Sequence, residues 1–366
     1  MYVRNSQPKQ LESGEAWCCD RQRMECMGPR SSHRRRDCMS CSSSATEAEL
    51  WLEHVEDLPA QPSTPSSGKD LDANATDEAG MYEQQGESQF CCSYLSSTQA
   101  STGITAGQRA SVVDNMVAAA AGLALSNDSL FLAVALLDRY MAVQAAPLHL
   151  LQPIGIACLW ASTKYEQCKI PANRFFSQLI MGRDGVPLGA VPAAKQLLVV
   201  LEQAVLSAVD FRLASIITSK AFKHCIMQRL GGSLAAAQLS CEQLDQLYCM
   251  VSYLSEAALL EYQLLPVQPS RIAAAAYGFA HVLLGIPLHA ATLQQLTQHS
   301  AEEVARPMEY MCALHATLSM ALQLGRPYAV TVKYCDPWAC SVALIQPAST
   351  IITVLLAEPA AIDRTC

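Results

Sequence analysis

From Gln108 to Leu324 the chain carries one apolar helical stripe after another, and this run limits the fold more than any other feature. Apolar residues recurring every three or four positions give each segment a face that has to be buried against another helix. Val112, Val113, Met116 and Val117 begin the first such face. Ser126-Asn127-Asp128-Ser129 supplies cap-type residues before the run Leu130 to Leu137, which is apolar enough to be central in its bundle. A third helix is expected over about 148–166, a short fourth from Pro171, and a fifth over about 193–209. Gly182, Gly185, Pro187, Gly189 and Pro192 mark a loop before that fifth helix. The pattern then starts again, with helices expected over 215–229, 241–260, 268–284, 290–299 and 301–322. Ser240 with Gln243, and Ser300 with Glu303, have the spacing of a capping box, in which the two side chains satisfy exposed backbone donors at a helix start. Aromatic residues are only 6% of the chain, which favours helices over strands. The layout predicts an all-α protein of two tandem five-helix domains, 101–213 and 214–345, followed by a C-terminal tail, 346–366.

Residues 1–100 are rich in Ser, Gln, Glu and Pro and lack long apolar periodicity, so they read as a largely disordered regulatory tail. Gln61-Pro62-Ser63-Thr64-Pro65-Ser66-Ser67-Gly68 reads as linker, and Thr64-Pro65 offers a proline-directed phosphorylation site. A basic cluster of Arg30, His33, Arg34, Arg35 and Arg36 reads either as a nuclear-import signal or as a solvated charge run. The net charge of −8 argues against general nucleic-acid binding, which needs clustered cations to displace counterions. The start, Met1 to Gln10, is polar and shows no signal peptide, and the most apolar stretch, Met116 to Leu137, is broken by Ser126, Asn127 and Asp128. The chain therefore reads as soluble and intracellular. Of its sixteen cysteines, Cys158, Cys225, Cys249 and Cys312 fall within apolar helical patterns, where a thiol serves as a small core residue. Cys38 and Cys41 form a lone C-x-x-C without a second pair at zinc spacing, so no metal is expected, and no cofactor either.

Four segments carry a resemblance to a known family. Leu130-Phe131-Leu132-Ala133-Val134-Ala135-Leu136-Leu137-Asp138-Arg139-Tyr140 is similar to the second helix of the cyclin box. Leu151-Gln152-Pro153-Ile154-Gly155-Ile156-Ala157 and Ala161-Ser162-Thr163-Lys164-Tyr165-Glu166-Gln167 resemble that family's third helix. Gln108-Arg109-Ala110-Ser111-Val112-Val113-Asp114 is a degraded form of its first. In the second half, Leu259-Leu260-Glu261-Tyr262 and Pro269-Ser270-Arg271-Ile272-Ala273-Ala274-Ala275-Ala276 resemble A- and B-type (mitotic) cyclins, leaning to the A-type. Val332-Lys333-Tyr334-Cys335 with Val342 resembles their closing segment.

The resemblance implies a non-enzymatic regulatory subunit that binds and activates a cyclin-dependent protein kinase as a heterodimer in cell-cycle control, in nucleus and cytoplasm. Consistent with this, the sequence holds no Gly-rich phosphate loop, no G-x-S-x-G and no kinase motif set. By resemblance the kinase contact falls on Lys164 and Glu202, with Tyr165 and Glu166 beside them; Glu202 is placed by its nine-residue spacing to Phe211. The family also captures substrates and inhibitors bearing Arg-x-Leu in a groove on the first helix. Here only Arg109, Asp114 and Gln152 keep that groove's identities, while Gln108, Ser111, Asn115 and Ala118 replace its apolar and acidic positions. Asn115 in place of a large indole removes the main apolar anchor, so groove docking is expected to be weak or absent. Arg109 and Asp114 have a second reading, as internal braces of the first helix. Residues 1–100 lack the family's destruction box and Lys-Glu-Asn motif. The alternative function is a cyclin-fold scaffold or transcription-associated module that activates no kinase.

Overall fold

The computed structural model describes residues 80–85, 93–180, 191–233 and 236–346. The basic cluster, Cys38–Cys41, Thr64-Pro65, most of the Gly182–Pro192 loop and the apolar run Ile351–Leu356 lie outside the described residues. Five helices form the first half: α1 (Ala106–Gly122), α2 (Asn127–Val143), α3 (Leu151–Glu166), α4 (Asn173–Ile180) and α5 (Val191–Ala208). Five more form the second: α6 (Ser219–Gly231), α7 (Cys241–Ala257), α8 (Pro269–Leu284), α9 (Ala290–Thr297) and α10 (Ala301–Gln323); a short α11 (Ala329–Tyr334) follows. The described residues contain no strand.

Local chemistry sets the ends. The Ser240/Gln243 and Ser300/Glu303 capping boxes are both formed, and Thr105 with Gln108 makes a third at the start of α1. The Ser126 hydroxyl caps α2 by accepting from the Ser129 N–H. Gly285 ends α8 in the left-handed region at φ 64°, where a side chain would be strained. Helix α9 stops two residues short of the expected 299 because Gln298 takes the same left-handed conformation, φ 62°.

Each half is built around its third helix. Helix α3 packs against α1, α2, α4 and α5, and α8 packs against α6, α7, α9 and α10. Small residues make this possible. A Cβ on Gly155 would stand 2.7 Å from Val112 Cγ1 and 3.2 Å from Met116 Sδ, so only glycine lets α1 lie this close to α3. In α8, Ala273, Ala274, Ala275 and Ala276 are all fully buried. Leu130–Leu137 is buried almost throughout, as its apolar run predicts. Helix α2 packs against α1, α3 and α5 and also meets α6 of the second half, which accounts for its all-round apolar character. Cys158, Cys249 and Cys312 are buried as expected, whereas Cys225 is only half-buried.

The ordered body begins earlier than the sequence suggests. Gln99 is 1% exposed, and its side-chain amide donates to the carbonyls of Met141 and Gln144, at 2.6 Å each, while its oxygen accepts from the Ala146 N–H. Tyr94 is equally buried and donates to Asp138 Oδ1 at 2.7 Å. In the segment 80–85, the Tyr82 ring lies 4.9 Å from that of Phe222, and Gln85 Oε1 accepts from the Ser270 N–H at 3.1 Å. Polar side chains that replace backbone partners leave no apolar period to read, which is why the stretch looked like tail.

Candidate functional site

The last turn of α3 is held by its own side chains. Ser162 and Thr163 are buried and donate back to the Leu159 carbonyl at 3.0 and 2.6 Å, so the polar end of this apolar helix needs no outside partner. That turn presents Lys164, whose ammonium pairs with the Glu202 carboxylate of α5. Glu202 is only 8% exposed, and its Oε2 accepts a second hydrogen bond from Trp160 Nε1 at 3.1 Å. The ammonium also lies 5.0 Å from the centre of the Trp160 ring, a cation–π distance. Behind it the Trp160 ring packs at 4.8 Å on Phe176 of α4, which is fully buried. Three helices therefore meet in one charged cluster with an aromatic floor. An ammonium has three donors and a carboxylate about four acceptor positions, so the pair keeps a donor and an acceptor available side by side. That complements a peptide unit's C=O and N–H.

Apolar residues stand exposed on the same helices and the turns that follow them: Tyr165 on α3, Ile170 after it, Val199 and Val200 on α5, and Phe211 beyond α5. Phe211 is 64% exposed and, with Asp210, takes a left-handed backbone at φ 57° and 51°. Two successive non-glycine residues there cost about 1–2 kcal/mol each, and the result is an aromatic ring held in water. Glu166 is not part of the cluster. Loss of solvent around its carboxyl and then the Asp128 carboxylate raise its pKa, while Lys220 acts in the opposite direction.

On the opposite flank of α1, Arg109 is 1% exposed and forms a two-pronged ion pair with Asp138, with Nε–Oδ1 and Nη2–Oδ2 both 2.7 Å. Its Nη1 crosses to the second half and donates to the Leu259 carbonyl at 2.9 Å. Burial pulls the guanidinium pKa down; the Asp138 carboxylate more than offsets that, and the pKa rises.

The family description "Cyclin, N-terminal domain" matches residues 79–214, and "Cyclin, C-terminal domain" matches residues 222–348. The chain belongs to the cyclin family. Cyclin-A1-2 of Arabidopsis thaliana is 30% identical over 213 residues, which are 58% of this chain and 44% of that protein. Cyclin-A3-3 of the same plant is 26% identical over 78% of this chain and 85% of its own length. The G2/mitotic-specific cyclin S13-7 of Glycine max is 26% identical over 66% of this chain and 85% of its own. Against Cyclin-A1-2 the chain thus spans less than half the relative's length.

In this cyclin the three groove positions expected on α1 and α3 divide. Arg109 is buried and paired internally with Asp138, the geometry of its bracing reading. Asp114 accepts from the Ala329 N–H at 2.6 Å and so ties α1 to the start of α11. Gln152 accepts from Asn115 Nδ2 at 3.2 Å, so a polar pair occupies the place expected for the apolar anchor. Sequence reasoning missed Trp160. It was not singled out in the apolar third helix, and only the fold brings Glu202 to its indole N–H. Among the described residues no cluster of His, Cys, Asp and Glu could hold a metal, and no helix is long and apolar enough to cross a membrane.

Proposed function

We propose that this cyclin is the regulatory subunit of a cyclin-dependent serine/threonine kinase in cell-cycle control, docking through the face formed by α3 and α5. The carrying observation is the Lys164–Glu202 pair, a half-exposed donor beside a mostly buried acceptor, on helices that also expose Tyr165 and Val199. A kinase is active when its strand lysine pairs with the glutamate of its C-helix and its activation loop opens. A rigid apolar surface that grips that helix favours the inward state by binding it better than the outward one, a population shift with no chemical step on the cyclin. Charge-assisted bonds from Lys164 and Glu202 to backbone groups of the helix would fix its register.

The test is a pull-down with the full chain, because Tyr82, Gln85, Tyr94 and Gln99 pack on the body. Wild type and Lys164→Ala/Glu202→Ala are presented to a set of purified cyclin-dependent kinases, and histone phosphorylation is assayed in the captured material. Capture and activity, both lost in the double variant, are the expected result. Capture without activity favours the scaffold reading, for which the filled groove on α1 speaks; no capture by wild type overturns the kinase reading.

A further inference from the structure

The Glu202 carboxylate is held from two sides, by Lys164 and by Trp160. The two donors differ in kind. An ammonium on four methylenes is a mobile point charge with rotating donors, and Lys164 is 37% exposed along its side chain. An indole N–H has one direction, set by its ring, and this ring is backed by buried Phe176 and packed between α3, α4 and α5. The same ring carries the Lys164 ammonium over its face at 5.0 Å. One side chain therefore touches both members of the charged pair, through different atoms.

We propose that Trp160 is the positioning residue of this docking site, fixing the Glu202 carboxylate with its N–H and the Lys164 ammonium with its ring face before a kinase arrives. The inference rests on the reading of α3 and α5 as the kinase-binding face. Its physical content is pre-organisation: rotamers ordered in the free protein do not have to be ordered on binding. Phenylalanine at this position keeps most of the packing and the ring face but loses the directional bond to Glu202.

Binding of the full chain to the kinase captured above is measured for wild type, Trp160→Phe, Glu202→Ala, the Trp160→Phe/Glu202→Ala pair and Lys164→Ala/Glu202→Ala. Trp160→Phe is expected to raise Kd about tenfold, the size of one lost hydrogen bond to a charged group, with a thermal midpoint close to wild type. In the Glu202→Ala background the same substitution is expected to change Kd less than about twofold, because a residue acting through Glu202 has nothing left to position. Equal effects in both backgrounds would mean a packing role and overturn the inference. If Trp160→Phe binds like wild type while Lys164→Ala/Glu202→Ala does not bind, the docking site stands and the role of Trp160 falls. Unchanged binding by Lys164→Ala/Glu202→Ala removes the site and this inference together. A kinase-free arm reads the hydrogen bond itself: the Trp160 indole N–H resonance of the 15N-labelled chain should move upfield in Glu202→Ala. An unmoved signal overturns the inference whether or not any kinase binds.

Discussion

Buried charge shows most sharply how single residues hold this cyclin together. Asp138 receives Arg109 through two bonds and Tyr94 through a third, all at 2.7 Å, and Arg109 reaches on to the Leu259 carbonyl of the other half. Removing one partner of such a pair leaves the other charged, buried and unpaired, which costs about 3–5 kcal/mol. Asp138→Ala is therefore expected to destabilise the chain by that amount in urea unfolding at pH 7. Lys220→Ala, which breaks an ion pair to the exposed Asp128 carboxylate, should cost less than about 1 kcal/mol in the same assay. The Asp-Arg-Tyr end of α2 was visible in the sequence as a motif, but its task was not. Asp138 lies 29 residues from Arg109 and Leu259 lies 150 from it, so no local pattern connects them.

Helix α1 is the element on which the resemblance puts a docking groove. Its exposed side lacks a large apolar anchor, Asn115 and Gln152 satisfy each other, and Gln108 is spent on the capping box with Thr105. Hot spots in interfaces are buried aromatic or long apolar anchors, and polar pairs that already satisfy each other gain little from a partner. A peptide array of Arg-x-Leu sequences should accordingly show no binding above that of scrambled peptides; robust, sequence-dependent capture would contradict this. The existence and order of α1 to α10 were legible, because a helix is a local object read from caps and a 3.6-residue period, whereas α11 and the helical segment 80–85 were not read. The roles of helices were less legible. Leu130–Leu137 looked central by composition and is buried almost throughout, but the close packing around α3 and α8 rests on small residues, Gly155 and four alanines, that composition did not single out.

The two halves behave as one body because polar ties cross between them: Arg109 to the Leu259 carbonyl, Asp114 to the Ala329 N–H, Lys220 to Asp128, and Lys333 to both Asn127 and fully buried Glu256. Three histidines in the second half make the stability of that body sensitive to acid. Burial is the largest cause holding the pKa of His281, His299 and His315 below the ordinary value of 6.5. His315 sits between the Tyr253 hydroxyl and the Ile345 carbonyl, and His281 lies against the Ile286 carbonyl and the Tyr277 ring. His299 faces Ser270, Glu303 and Arg271. Unfolded histidines bind protons that these folded ones refuse, so stability is full above about pH 6.5 and falls as pH drops from there toward each folded pKa. The slope is at most about 1.4 kcal/mol per pH unit for each histidine. Urea unfolding at pH 7.5 and 5.5 should show the loss, and His281→Gln/His315→Gln should flatten it; equal stability of wild type at both values would refute it. By itself the sequence determined the helices, their grouping in two fives, the family and the place of Lys164, all of which are written in neighbours one to four residues apart. Only the tertiary structure decided that Gln99 and Tyr94 belong to the body, that Arg109 is a brace, and that Trp160 holds Glu202. Each of those depends on a buried polar group finding its partner, and the partner is chosen by where the packed helices bring distant segments together.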